Sequence, residues 1–325
     1  MATLKDVAAK SGVTVTTVSR VLNNRGYISE ETRDKVYLAM KELNYQPNEI
    51  ARSLSKQKSN NIGIIVPHIE HPYFARLIGY LEREAVKKNY KIILCNSHAK
   101  FEKEIDYLEM FQSHRVAGII LCSRSVDIGK FVSLNIPVVS IERPVDVGTT
   151  SVECDNYQGG ILAAKHLIAR GCRHLVHFSG IENEAMPADA RSKGFIKVCE
   201  DNNILHKEVE SKADDYLNME YHSLIESVLK ENPEVDGIFA SSDLIAAQVI
   251  QVARKMNIQV PDQLKIVGFD DVSIASLVSP TITTIHQPIK EMAQEAINCL
   301  IKCTEDSVVP SRIQLPVSLI KRETT

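Results

Sequence analysis

Two sets of residues combine chemical type and spacing in a way that suits recognition. The first is Val15, Thr16, Ser19, Arg20 and Asn23. On a helix that turns Val18 and Val21 inward, these five make up the outward face, which is polar, compact and basic. Such a face suits a DNA major groove. An arginine there makes paired hydrogen bonds to guanine, while threonine and valine methyls touch thymine. The plainer alternative is the solvent face of an ordinary three-helix bundle.

The second set gathers where apolar runs end. His68, His71, Tyr73 and Phe74 follow residues 62–67, and Glu142 and Arg143 follow 137–141. Ser241, Ser242 and Asp243 come after 237–240, and Asp270 and Asp271 after 265–269. Arg191 opens a helical stretch, and His286 lies in Thr284-Ile285-His286-Gln287-Pro288. Open α/β sheets take ligands outside the carboxyl ends of their strands, which makes these residues candidate ligand contacts. Each also has a plainer role. Tyr73 and Phe74 suit helix-start core, Asp243 and Asp271 helix caps, Arg191 a surface charge and His286 a structural histidine.

The elements that must position the first set are short. Residues 3–45 read as three helices. Thr3 caps the first with Asp6 in the capping-box position, Thr14 caps the second, and Ser29 caps the third with Glu30 and Glu31 in its first turn. Small Ala8 and Gly12 in the turn permit the close approach of a helix-turn-helix. Residues 47–55 read as a marginal helix beside the polar run Lys56-Gln57-Lys58-Ser59-Asn60-Asn61, a hinge that orders only against a partner.

The second set needs a larger scaffold. Apolar strands at 62–67, 91–96, 117–122, 137–141, 174–179, 237–240 and 265–269 alternate with helices at 73–88, 158–170, 191–202 and 243–256. That alternation predicts buried parallel sheets with right-handed crossovers. The length exceeds one comfortable core, so two doubly wound lobes with a cleft between them are expected. The helix after residue 73 offers Leu77, Ile78, Leu81 and Ala85 on one face, for core or for a subunit interface.

Composition narrows the function classes. The chain has 325 residues, 44% hydrophobic and 24% charged, as soluble globular proteins do. Residues 1–60 hold ten Lys and Arg against six acids, a charge of +4, which leaves −7 for the rest of a chain totalling −3. A basic module on an acidic body suits a polyanion-binding head. Seven scattered cysteines lack Cys-x-x-Cys or zinc-finger spacing, so free buried thiols are expected, with no disulfide, metal or cofactor. No apolar run approaches the roughly 18 residues of a membrane span, and Met1-Ala2-Thr3-Leu4-Lys5-Asp6 resembles no export leader, so the cytoplasm is expected. No nucleophile elbow, phosphate loop or metal cluster supports an enzyme.

The ordered string Leu4-x-Asp6-Val7-Ala8, Gly12-Val13, Thr17-Val18-Ser19-Arg20-Val21-Leu22-Asn23, Thr32-Arg33, Met40, Leu43-Asn44-Tyr45-x-Pro47-Asn48 and Ala51-Arg52-x-Leu54 resembles the LacI/GalR family of repressors. The resemblance implies that Val15, Thr16 and Arg20 read bases. It implies that Thr3, Thr14, Thr17, Ser19, Asn23, Ser29, Thr32 and Tyr45 bond phosphates. Asn48 and Arg52 match hinge contacts, and Leu54 matches a leucine wedged into the minor groove, where an apolar side chain unstacks a base step and bends DNA.

The body is similar to the same family's effector core at Val267-Gly268-Phe269-Asp270-Asp271, at 280–288 and at 315–322. That likeness implies an all-α helix-turn-helix head on an α/β, two-lobed, periplasmic-binding-protein-like effector domain. The expected head is 1–46, the hinge 47–61 and the effector domain 62–325, its lobes about 62–154 with 286–316 and about 155–285 with 317–325. Tyr73, Phe74, Glu142, Arg191, Ser242, Asp270 and Gln287 would face the ligand, with Asp155 a further candidate. An Asp–Arg pair beside aromatics is sugar chemistry. Two departures bear on which ligand it is. Ser242 stands where sugar-binding members often have Asn, and Glu142 where several have Asp. With no Trp, stacking falls to Tyr73 or Phe74.

The expected function is a transcriptional repressor of a carbohydrate operon, not an enzyme. It would bind a near-palindromic double-stranded operator as a homodimer under a sugar or sugar-phosphate effector. Within the family the pattern looks most like sucrose-type repressors, and the missing leucine-heptad tail favours a dimer over a tetramer. The alternatives are a global catabolite regulator with a phosphorylated carrier protein as corepressor, and a sugar-binding protein with no DNA role.

Overall fold

Capping chemistry sets the helices of the head. In the computed structural model, which describes residues 2–22, 26–45, 59–122, 136–143, 150–181, 187–305 and 307–325, the chain divides into two units, Met1–Ser59 and Asn60–Thr325. In the first unit α1 (Leu4–Ser11) begins at Thr3, whose hydroxyl and backbone N–H both meet the Asp6 carboxylate in a capping box. Gly12 ends it in the left-handed region at φ +69°, where a Cβ would be strained. In α2 (Val15–Leu22), Thr14 Oγ1 accepts the Thr17 amide at 3.1 Å. In α3 (Glu30–Glu42), Ser29 does the same for Thr32. Val7, Ala8, Val18, Val21, Val36 and Ala39 form the small core.

The second unit holds two six-stranded sheets. The first runs β11-β5-β4-β3-β1-β2, with β1 Asn61–Val66, β2 Lys91–Asn96, β3 Gly118–Leu121, β4 Val138–Ile141, β5 Thr150–Cys154 and β11 Arg312–Leu315, all pairs parallel. The second runs β12-β10-β9-β8-β6-β7, with β6 His174–Ile181, β7 Leu205–Ser211, β8 Gly237–Ala240, β9 Lys265–Asp270, β10 Thr283–His286 and β12 Ser318–Ile320. Only the β10–β12 pair in it is antiparallel. Central strands such as β3, β4 and β8 are buried along their whole length, as doubly wound sheets require.

Helices cover both faces. In chain order they are α4 (Pro72–Lys87), α5 (Phe101–Ser113), α6 (Asn156–Ala169), α7 (Ala190–Asp201), α8 (Ala213–Asn218), α9 (His222–Glu231), α10 (Asp243–Lys255), α11 (Ser273–Leu277) and α12 (Ile289–Thr304). Pro72 fills the first position of α4, where its missing N–H costs nothing, and Leu77, Leu81 and Ala85 are fully buried at the i, i+4, i+8 spacing. That face is therefore core of its own subunit, packed against α12. Six cysteines are buried and Cys303 is half-buried, all as free thiols.

One helix contact matters for the site. Helices α6 and α7 meet through Gly160 and Gly194. A Cβ on Gly160 would lie 1.9 Å from the Arg191 carbonyl oxygen, and one on Gly194 2.1 Å from that of Tyr157. Only glycine allows two backbones this close.

Candidate functional site

On the head, the structure places Val15, Thr16 and Arg20 on the exposed face of α2, with Thr17 and Ser19 half-buried beside them. Thr14 and Thr17 join their hydroxyls at 2.9 Å, and Ser29 and Thr32 at 2.8 Å. Each pair crowns a helix start, where unsatisfied N–H groups and the dipole favour an anion. Thr3 is exposed at the α1 cap, and Tyr45 packs partly into the core. Asn23, Asn48, Arg52 and Leu54 lie outside the described residues.

In the second unit, seven of the eight candidate effector contacts surround one cavity of about 890 Å³, counting its open mouth. Tyr73, Phe74 and Glu142 come from the first lobe, Arg191, Ser242 and Asp270 from the second, and Gln287 from the chain crossing between them. Asp155 is not among them. It caps α6, its carboxylate accepting the Gln158 amide at 3.0 Å.

The polar centre is wired before any ligand arrives. Glu142 Oε1 accepts the Cys154 amide at 2.7 Å, and its Oε2 accepts from Asn156 Nδ2 at 2.8 Å. Asn156 Oδ1 in turn accepts from Arg191 Nε at 2.7 Å, and Arg191 Nη1 donates to the Ser241 carbonyl at 2.7 Å. The guanidinium lies 3.5 Å from the centre of the Phe269 ring, a cation–π contact that gains strength when desolvated. This chain of contacts depends on the close α6–α7 approach, because Asn156 opens one helix and Arg191 the other. Arg191 is thus 7% exposed and is not a surface charge.

Asp270 and Gln287 form the other half. Gln287 Nε2 donates to Asp270 Oδ1 at 2.6 Å, and the two are 4% and 2% exposed. Burial pushes the Asp270 carboxyl up to about 7, against the pull of Arg191 and the Gln287 hydrogen bond. Burial raises Glu142 as well, with Arg191 opposing. Two carboxyls thus share one guanidinium. Glu142, Asp270 and Asp271 all carry positive φ, at 53°, 105° and 55°. Strained backbone of this kind costs of order 1–3 kcal/mol per residue and clusters at functional sites.

The plainer roles resolve individually. Asp243 does not cap a helix. It is fully buried and accepts from Thr284 Oγ1 at 2.6 Å and the Val272 amide at 2.8 Å, while Ser242 is the cap of α10. Asp271 is tied to His286 Nδ1 at 2.9 Å and Arg322 Nη2 at 2.5 Å, and its carbonyl accepts from Arg76 of α4. His286 is structural in that sense. Two buried polar atoms of the cavity, the Tyr73 hydroxyl and Gln287 Oε1, have no hydrogen-bond partner. Each such vacancy costs roughly 1–3 kcal/mol until something fills it.

Sequence reasoning missed part of the lining. Ser179 ends an expected strand and was open to the strand-end rule. His177, two residues earlier, sits inside an apolar run and gave no signal. Ser211, Tyr216 and Tyr221 also line the cavity from a stretch without marked periodicity. Among the described residues no His, Cys, Asp and Glu cluster would hold a metal, and no helix is long and apolar enough to cross a membrane.

A helix-turn-helix head joined to a two-lobed α/β body with a polar cleft defines a ligand-regulated DNA-binding protein. The family model for bacterial regulatory proteins of the lacI family matches residues 3–48, and that for a periplasmic binding protein-like domain matches 164–325. The ribose operon repressor of Halalkalibacterium halodurans is 37% identical over 100% of this chain and 97% of its own. The sucrose operon repressor of Streptococcus mutans is 38% identical over 99% of each. The crystal structure of the Lac repressor dimer bound to operator and the anti-inducer ONPF superposes with a TM-score of 0.85 at 25% identity, covering 99% of this chain and 98% of that one. The chain belongs to the LacI family of bacterial regulatory proteins, and it is a DNA-binding transcriptional repressor rather than an enzyme.

Proposed function

We propose that this protein is a cytoplasmic repressor of a carbohydrate-utilisation operon, gripping a near-palindromic operator as a dimer under the control of an uncharged sugar in the cleft. The observation that carries the ligand class is the pair of unpartnered buried atoms, Tyr73 Oη and Gln287 Oε1, beside Glu142, Asp270 and Arg191. A polyol supplies hydroxyls that donate to carboxylates and accept from a guanidinium, while its ring face packs on Phe74. A sugar phosphate would bring a dianion against two carboxyls with one guanidinium to offset them, so the neutral sugar is favoured.

On this reading the head is 1–46, the hinge 47–61 and the receptor 62–325. Val15, Thr16 and Arg20 read base edges. The hydroxyl pairs Thr14–Thr17 and Ser29–Thr32, with Thr3, Ser19, Asn23 and Tyr45, hold phosphates. Asn48 and Arg52 contact the central minor groove, and Leu54 is its wedge. Ligand binding changes the angle between the lobes and so the spacing of the paired hinges. DNA and sugar affinities are then reciprocally linked, typically by about 1–3 kcal/mol. Asp155 contributes to the site only through the α6 cap.

The test has two stages. Selection from random duplexes with the purified dimer should return a two-fold-symmetric site, and a thermal-shift screen against sugars and sugar phosphates should find a neutral sugar that raises Tm. That sugar should then change operator affinity several-fold. Recovery of no preferred duplex would overturn the regulator, and stabilisation by sugar phosphates alone would overturn the neutral effector.

A further inference from the structure

The Asp270 carboxyl owes its aim to the backbone turn that carries it. β9 runs into two consecutive residues of positive φ, Asp270 at 105° and Asp271 at 55°. Such a turn persists only where its surroundings over-determine it. Asp243 grips it from behind. A Cβ on Gly268 would lie 2.5 Å from Asp243 Oδ1, so glycine lets this buried carboxyl lie against β9 ahead of the turn. Its Oδ2 accepts the Val272 amide at 2.8 Å just past the turn, and its Oδ1 accepts from Thr284 Oγ1 of β10 at 2.6 Å. The Asp271 carboxylate is moored to His286 Nδ1 at 2.9 Å and Arg322 Nη2 at 2.5 Å. These partners belong to the second sheet, to helix α10 and to the residues after β12.

A further contact on the turn comes from the first lobe. Arg76 Nη1 of α4 donates to the Asp271 carbonyl. Arg76 is half-buried and is not among the residues that line the cavity. Its guanidinium also lies 5.9 Å from the centre of the Tyr80 ring, one helical turn on, which restrains the side chain. The carbonyl that Arg76 holds and the N–H that Asp243 holds belong to the same peptide group, Asp271–Val272. A peptide group is planar and rigid, so this plate is gripped at its oxygen by one lobe and at its hydrogen by the other. A change in the angle between the lobes must either break the Arg76 bond or rotate the plate. Rotation changes ψ of Asp271 and φ of Val272, and so the shape of the turn that aims Asp270.

We propose that Arg76 is a positioning residue for effector recognition: through the Asp271–Val272 peptide it ties the aim of the Asp270 carboxyl to the angle between the lobes. This rests on the reading of the cleft as the effector site and adds a residue outside it. Arg76 holds the carboxyl aligned before the effector arrives, so its loss adds an ordering cost to binding. The loss also frees the swing of the lobes, and the empty protein moves away from the liganded arrangement. By linkage, operator affinity without effector then shifts in the direction opposite to the shift that the effector causes. A guanidinium that merely packed on Tyr80 would give neither effect.

Titration calorimetry and operator competition on the full chain decide it, with ribose, fructose, glucose and sucrose as probes and the operator returned by selection as the duplex. Arg76→Met keeps the stem on Tyr80 and removes every donor. Arg83→Met is the matched control. Arg83 is exposed on the same helix, carries the same charge and stands 5.6 Å from the centre of the same ring. Arg76→Met should weaken the sugar that binds by about three- to tenfold, while Arg83→Met stays within about twofold at equal Tm. In an Asp270→Asn background the Arg76→Met loss should shrink below about twofold, since no carboxylate is left to aim. Three results overturn the positioning role and leave the sugar reading standing. They are a loss undiminished in that background, equal losses from Arg76→Met and Arg83→Met, and an operator affinity that shifts the same way as it does with sugar. If no probe binds, the sugar reading falls and Arg76 is judged on the operator alone. A shift of about threefold or more that Arg83→Met lacks then sustains its role, and no such shift overturns it.

Discussion

The α2 face and the cleft are both recognition surfaces, yet they are prepared in opposite ways. On α2, Arg20 and Thr16 are exposed and Val15 is 40% exposed, so their side chains face solvent and not a packed wall. In the cleft, Arg191 is buried and committed to Asn156, Ser241 and Phe269, and Asp270 is committed to Gln287. The partners explain the contrast. A duplex brings ordered base edges and a dense phosphate charge, so its reader gains register from the phosphates and needs few fixed side chains. A sugar brings only hydroxyls, each already well hydrated, and is bound tightly only where partners are aligned in advance. The lesson concerns additivity. Losses on the head should be local, whereas losses in the cleft should spread through the network.

The largest effect should come from Arg191→Ala. It strands two carboxyls and should weaken the sugar by about 2–5 kcal/mol, or more than thirtyfold, in titration calorimetry. Operator affinity without sugar should stay within twofold. Combined with Asn156→Ala it should fall well short of additive, and strict additivity would erase the contrast drawn above. Arg20→Ala comes next. It should relax base preference at one operator position by about 1–3 kcal/mol, read by competition binding, and leave sugar affinity untouched.

The pH response of Asp270 is smaller. Its native carboxyl keeps a proton up to about pH 7, while the unfolded chain releases it near the ordinary aspartate value of about 3.8. Its contribution to stability is present below the unfolded value and is lost as pH rises through about 7. Sugar affinity should run the other way, because hydroxyls donate best to the carboxylate. It should strengthen up to tenfold per unit towards pH 7 and then level off, and Asp270→Asn should flatten that profile. The smallest effect belongs to Thr14→Ala. Losing an N-cap should lower head stability by about 1 kcal/mol and weaken all duplexes alike, with no change in sequence preference.

How much of this was legible in the sequence depended on where the signal lies. The caps Thr3, Thr14 and Ser29 were readable because capping is a local hydrogen bond between residues three apart. Seven expected strands were readable because each is a continuous apolar run. β5 (Thr-Ser-Val-Glu-Cys), β7 (Leu-His-Lys-Glu-Val-Glu-Ser), β10 (Thr-Thr-Ile-His) and the short β11 and β12 were not, because polar side chains interrupt each of them. β5 and most of β10 are buried all the same, while β7, β11 and β12 are largely exposed strands made by pairing. In the cavity, the strand-end rule led to Tyr73, Phe74, Glu142, Ser242 and Asp270. It could not lead to Asn156, which reads as an ordinary helix start until Gly160 and Gly194 bring Arg191 beside it. Tyr216 and His177 belong to the cavity only through the fold of the second sheet, so no spacing along the chain announces them.

The connections between the two sheets carry a mechanical consequence. The chain passes from one sheet to the other at Cys154 to Asn156, again at His286 to Ile289, and a third time between Leu315 and Ser318. Three short tethers side by side forbid the slabs from sliding or separating and leave them one soft motion, a swing about the line of the tethers, like a book on its spine. Gln287 lies on that spine and Asp155 on the tether beside it. A guest bonded to Gln287 therefore sits almost on the axis, where it meets little resistance. One that touches Phe74 of the first lobe and Ser242 of the second bridges the two covers and resists their opening.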